Sequence, residues 1–140
     1  MKTRTLIIAA AVIAVLAGAY AWTEYDRGLA DAGAMAVAER VTAAELLAAF
    51  RADETAATAR FVGTTEQAME VTGPVRAIEP QGAGPVNVLL DTGDDMAAVL
   101  CEFAPGTVPD QWAPGTSVTV AGICTGMLMD VVLVRCVPVE

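Results

Sequence analysis

Three cysteines, Cys101, Cys124 and Cys136, have the widest chemical reach in a 140-residue chain that contains no histidine. A thiolate becomes a nucleophile, redox centre or soft-metal ligand when a cation or helix N-terminus lowers its pKa and solvent can reach it. The nearest cation, Arg135, alternates with Cys136 and should face outward. The sequence has no Cys-x-x-Cys pair and no lysine near the thiols, and positions 101, 124 and 136 lack the paired spacing of zinc ligands. The absence of histidine also removes Ser-His, Cys-His and His-metal constellations. No catalytic residue, cofactor site or metal site is expected, and the cysteines read as structural.

Other groups carry weaker signals. Asp91-x-Gly93-Asp94-Asp95 has some oxygens of a calcium loop but lacks its spacing and distal acid, and fits an acidic turn between strands. Met127-Leu128-Met129 puts apolar side chains at a hairpin tip. Such a tip either folds back over the core or forms a docking surface. Trp112, between Pro109 and Pro114, either caps the core or marks a ligand surface. Trp112, Met127 and Met129 are the candidates for a ligand or docking surface.

Charge narrows the partners. From Val41 onward there are four arginines, no lysine and thirteen acidic residues, a net charge of −9. Nucleic-acid affinity rests on clustered Lys and Arg at phosphates. An acidic, lysine-free domain is a poor match for that, and its acids suit a solvated surface.

Periodicity gives the elements that must position these groups. Thr42-Ala43-Ala44-Glu45 is a capping box, and Leu46, Phe50, Ala57 and Phe61 fall on one helical face, so a helix is expected from Thr42 to about Arg60. Gly63 ends it. The period then changes to two. Strands are expected at Met69 to Arg76, with a bulge or bend at Gly73-Pro74, at Val86 to Leu90, Met96 to Phe103, Ser117 to Thr125 and Val131 to Val137. Alternation turns Val99, Cys101 and Phe103 to one side, Val118, Val120, Gly122 and Cys124 to one side, and Val132, Val134 and Cys136 to the side opposite Arg135. All three thiols then face inward, provided no bulge shifts the register. One helix and five short strands imply a mainly β domain that closes as a small barrel, since an open sheet would leave apolar edges.

The N-terminus follows another rule. Lys2 and Arg4 precede an uncharged stretch, Leu6 to Trp22, close to the length that spans a bilayer. Residues 1–22 therefore read as a signal anchor or a signal peptide. Ala19-Tyr20-Ala21 resembles a cleavage site, with cleavage after Ala21 giving a secreted or periplasmic product. The length of the run, with Trp22 and Tyr25 at an interfacial position, favours the uncleaved anchor. Either way Lys2 and Arg4 stay cytoplasmic and the domain lies outside. Residues 23–41 read as an Ala-rich stalk or linker, and 42–140 as the folded domain.

The order of elements resembles the tRNA-anti-like family of exported bacterial OB-fold proteins. The residues that carry the likeness are Leu46-Leu47, Phe50, Glu54 and Ala57 of the helix, then Val71-Thr72-Gly73-x-Val75-x-x-Ile78, Val88-x-Leu90 and Val99-x-Cys101-x-Phe103. Gly115-x-x-Val118-x-Val120-x-Gly122-x-Cys124-x-Gly126 and Asp130-Val131-x-Leu133-x-x-Cys136 complete it. The resemblance implies a five-stranded OB-type barrel with an N-terminal helix, and no established activity. Its strand order places the fifth strand beside both the third and the fourth, so Cys136 could reach Cys101 or Cys124. The local hairpin favours a Cys124–Cys136 disulfide in an oxidising compartment. A turn centred on Leu128-Met129 would instead set Cys124 opposite Leu133. The functional expectation is a non-enzymatic extracytoplasmic module, membrane-held through its N-terminus, for an envelope protein or small ligand. The faces of the second and third strands would make the contact. Nucleic-acid or oligosaccharide binding by fold analogy is the alternative.

Overall fold

The computed structural model describes residues 2–26, 28 and 30–140, apart from the side chains of Lys2, Arg4, Tyr25 and Asp26. It divides at Ala30 into two units. The first contains one helix, α1 (Lys2–Asp26), whose stretch Thr5–Glu24 is long and apolar enough to cross a membrane. Leu6, Ile7, Ile8, Ile13 and Leu16 are all exposed, as an apolar helix surface with no protein around it would be. The orientation reading from Lys2 and Arg4, and the interfacial reading of Tyr25, fall on side chains outside the described residues.

The second unit, Asp31–Glu140, has six strands: β1 (Val37–Thr42), β2 (Ala68–Pro80), β3 (Val86–Asp91), β4 (Ala98–Phe103), β5 (Ser117–Met127) and β6 (Val131–Val139). Strand order is β1-β2-β3-β4-β6-β5, and β2 also pairs β5, which closes a five-stranded barrel with β1 added beside β2. This is the expected OB-type barrel. Its closure depends on β2 changing partners. Ala68 to Pro74 pair antiparallel with β5, and Val75 to Pro80 pair with β3. The irregularity lies between Val75 and Ala77, just beyond the expected Gly73-Pro74. Gly73 serves packing, since a Cβ there would stand 3.0 Å from the Cβ of Ala43.

The helix expected over Thr42 to Arg60 starts with its capping box intact. The Thr42 hydroxyl accepts from Glu45 N, and the Glu45 carboxylate accepts from Thr42 N. It is not continuous, however. α2 (Ala43–Ala52) ends where Asp53 turns extended, and Asp53 Oδ1 then caps a short α3 (Glu54–Ala57) by accepting from Ala56 N. A π-turn, Thr58–Val62, completes the segment. The apolar stripe survives the break. Leu46, Phe50, Ala57 and Phe61 are buried, with the Phe50 and Phe61 rings stacked at 6.0 Å.

The linker expectation for 23–41 differs from the structure at its C-terminal part. β1 pairs parallel with β2, Val41 opposite Val71, and a 3-10 turn at Ala32–Ala34 is capped by Asp31 Oδ1. Ala32 packs with Ala68, Ala121 and Ile123, beside Val134, Val137 and Val139, in a second small core on the outside of the barrel. The outward valines of β6 supply the physical reason: they need a cover, and the Ala-rich segment is small enough to lie against them.

Candidate binding surface

The thiols are placed by the pleat and by one bulge. Cys101 and Cys124 face the interior as alternation requires, and both are buried. β6 does not alternate as expected. Val131 and Leu133 face inward, while Val132 and Val134 belong to the outer side. Cys136 recovers the interior because Arg135 and Cys136 together oppose the single Gly122, and Arg135 takes a left-handed φ of 51°. The expected Cys124–Cys136 disulfide is not present. Cys124 stands opposite Leu133, and all three cysteines are free. Contact with the Cys136 thiol, together with burial, pushes the Cys101 thiol well above its ordinary value, and burial also pushes Cys124 up. Protonated, enclosed thiols are poor nucleophiles.

The remaining candidates separate. Trp112 packs edge-on against Phe103, at 5.7 Å between ring centroids, and covers the main core. Met127 lies within β5 and also packs on that core. Met129 stays out at the hairpin tip, 74% exposed, beside Leu128 at 91%. Asp130 Oδ1 accepts from Ala98 N, which ties this tip to the start of β4, near exposed Met96.

The acidic turn is committed to the protein itself. Asp91 Oδ1 accepts from Arg76 Nη2 at 2.7 Å and from Gly93 N at 2.9 Å. Asp94 accepts from Arg51 Nη1 at 2.5 Å and, through Oδ1, from Met96 N and Ala97 N. The arginines hold both carboxyls below their usual range, with the backbone amides adding to the effect. Among the described residues no three His, Cys, Asp or Glu side chains are grouped to hold a metal.

Sequence reasoning did not anticipate two features of the surface. The first is that each of the five arginines in Asp31–Glu140 has a carboxylate partner: Arg40 with Glu70, Arg51 with Asp94, Arg60 with Glu39, Arg76 with Asp91, and Arg135 with Glu66. The pairs join residues far apart in the chain, so no local spacing reveals them. The second is a row of apolar residues on the outer face. Cross-strand pairing sets Ala77 beside Leu89, Leu89 beside Leu100, and Leu100 beside Val132. Their strand neighbours Val88, Leu90, Val99, Cys101, Val131 and Leu133 fill the barrel, while this row is part-exposed. Asn87 pairs with Glu102 along one flank, and Arg76 with Asp91 closes the other. The alternation of Leu89 with Val88 and Leu90 carries a signal for it: a leucine on the outward phase of a barrel strand.

This architecture, a helix-capped barrel with an apolar outer face, is that of an OB-fold protein. The tRNA_anti-like family matches residues 1–137, and the chain belongs to that family. No curated protein matches the sequence. A similar solved structure is that of a "putative nucleic acid-binding lipoprotein" from Klebsiella pneumoniae subsp. pneumoniae MGH 78578. The two share 16% identity over 71% of this chain and 91% of the other, with a TM-score of 0.54. That degree of likeness establishes a shared fold.

Proposed function

We propose that this protein is a non-enzymatic binding module, held at a membrane by α1, whose barrel lies outside the cytoplasm and engages a protein or small ligand through the outer face of β3 and β4. The observation that carries this reading is the row Ala77, Leu89, Leu100 and Val132, flanked by the acids Glu79 and Glu102. OB folds commonly bind through the corresponding strands. An apolar strip with an anionic border favours an apolar or cationic partner surface over a polyphosphate. Each arginine of the folded unit already has a carboxylate partner, so a phosphate would compete with an internal acid at every one of them.

Nucleic-acid binding is the second reading, supported by the fold and by the name of the Klebsiella protein. Titrating the full-length protein in detergent with a fluorescent single-stranded oligonucleotide at low salt separates the two. The first reading expects no binding. Binding that weakens steeply with added salt, and is lost in Leu100→Glu, would replace it with the second.

A further inference from the structure

Cys101 and Cys136 sit on the inward faces of β4 and β6, adjacent parallel strands in which Cys101 pairs with Leu133 and Phe103 with Cys136. Both are almost wholly buried. Three independent features converge on this placement. The Arg135 bulge turns Cys136 inward, where simple alternation after Leu133 would have turned it out. Gly122, facing the bulge, leaves the space that the thiol fills: a Cβ on Gly122 would stand 2.7 Å from Cys136 Sγ. Hydrogen bonding with the Cys136 thiol, more than burial, raises the Cys101 thiol. Cys124 lies two residues along β5 from Gly122, and its thiol is raised by burial, with no contribution from Cys136.

We propose that Cys101 and Cys136 form an oxidisable dithiol that links β4 to β6 through one disulfide, leaving Cys124 as the free thiol. The reaction is exchange with a small-molecule disulfide. One cysteine of the pair attacks a sulfur of that disulfide, forming a mixed disulfide and releasing one small thiol. The second cysteine attacks the protein sulfur of the mixed disulfide and releases the other small thiol. Two protein S–H bonds and the S–S bond of the small disulfide are lost, and one S–S bond forms between Cys101 and Cys136. The two electrons and two protons end on the two small thiols, so the balance closes without a metal or oxygen. Because both sulfurs are enclosed in the finished barrel, the exchange takes place while β6 is still undocked, and closure then shields the bond from reductant.

The test is refolding of the full chain in detergent with a mixture of oxidised and reduced glutathione. Acid quench, denaturation, alkylation and intact mass follow. The proposal expects one alkyl group per chain, located on Cys124, three after prior reduction, and a peptide joining the segments that contain Cys101 and Cys136. Cys124→Ser should take up none. Three alkyl groups in the glutathione-refolded wild type, a bridge that includes Cys124, or only intermolecular dimers would overturn it. The count is read on the wild type, so it does not depend on Cys101→Ser or Cys136→Ser folding. It is also independent of which side of the membrane the barrel occupies.

Discussion

At residue scale, Gly122 is the most closely packed of the described glycines. Its φ is ordinary, so its role is volume. An added methyl would meet Cys136 Sγ at 2.7 Å and Leu133 Cδ2 at 2.9 Å. Gly122→Ala should therefore lose about 1–3 kcal/mol, the usual cost of overpacking, measured by urea unfolding. Unchanged stability would mean that the interior is looser there than its geometry indicates. Arg135 is the complementary case, because backbone conformation governs it. A left-handed residue other than glycine costs about 1–2 kcal/mol, and a β-branched one costs more. Arg135→Val should destabilise by about 2 kcal/mol, while Arg135→Gly should stay within about 1 kcal/mol of wild type, trading strain against a half-exposed ion pair with Glu66. Equal losses for both variants would place the importance in the charge. Cys136 was legible as an inward residue for the wrong reason. Strict alternation turned it in with Val132 and Val134, whereas the bulge turns it in with Leu133. A one-residue shift is invisible to a period-two pattern when both phases are occupied by valines.

At the scale of elements, the turn from β3 to β4 is held by Arg76 and Arg51 gripping Asp91 and Asp94. Both carboxyls titrate below the 3.8 of a free aspartate. A carboxyl depressed in the folded state adds stability above its unfolded pKa and loses that contribution as pH falls through the folded one. The barrel should therefore weaken below about pH 3.8, and Arg76→Gln should flatten that acid limb in a series of urea midpoints against pH. A variant with an acid limb as steep as wild type would show that other carboxyls dominate. The helix, the five barrel strands and the capping box could be read from sequence because each is a local pattern: Thr42 to Glu45, the Leu46–Phe50 spacing, the alternation in β4 and β5. β1 could not, because Val37 to Thr42 becomes a strand only by pairing with β2. The outer core on Ala32 was hidden for the same reason, and so were the arginine pairs.

At the scale of the whole molecule, Lys2 is the chain's one lysine. The proposed topology places it on the cytoplasmic side and the entire barrel opposite. An amine-reactive reagent that cannot cross membranes should therefore leave Lys2 unlabelled in intact cells and label it after permeabilisation. Labelling before permeabilisation would reverse the orientation. A cleaved leader would appear as a mature chain that lacks Lys2 in both samples. The charge balance belongs to this scale too. The acids that remain after pairing keep the folded unit strongly anionic, so added salt should weaken its encounters with cationic partners and ease those with anionic ones.

The change of partner within β2 has a kinetic consequence. Its first half is hydrogen-bonded to Ser117–Ile123 and its second half to Val86–Leu90, so one continuous strand is the shared wall of a local hairpin and of the seam that seals the barrel. The hairpin joins nearby residues, whereas the seam must bring together segments as far apart as Ala68 and Ile123, about half of the folded unit. Loop closure on that span is entropically costly until many contacts form at once. The β2–β3 ribbon should accordingly be an early foldon. The β2–β5 seam should form last and open first, and amide hydrogens along Val118 to Gly122 should report the slowest step of assembly.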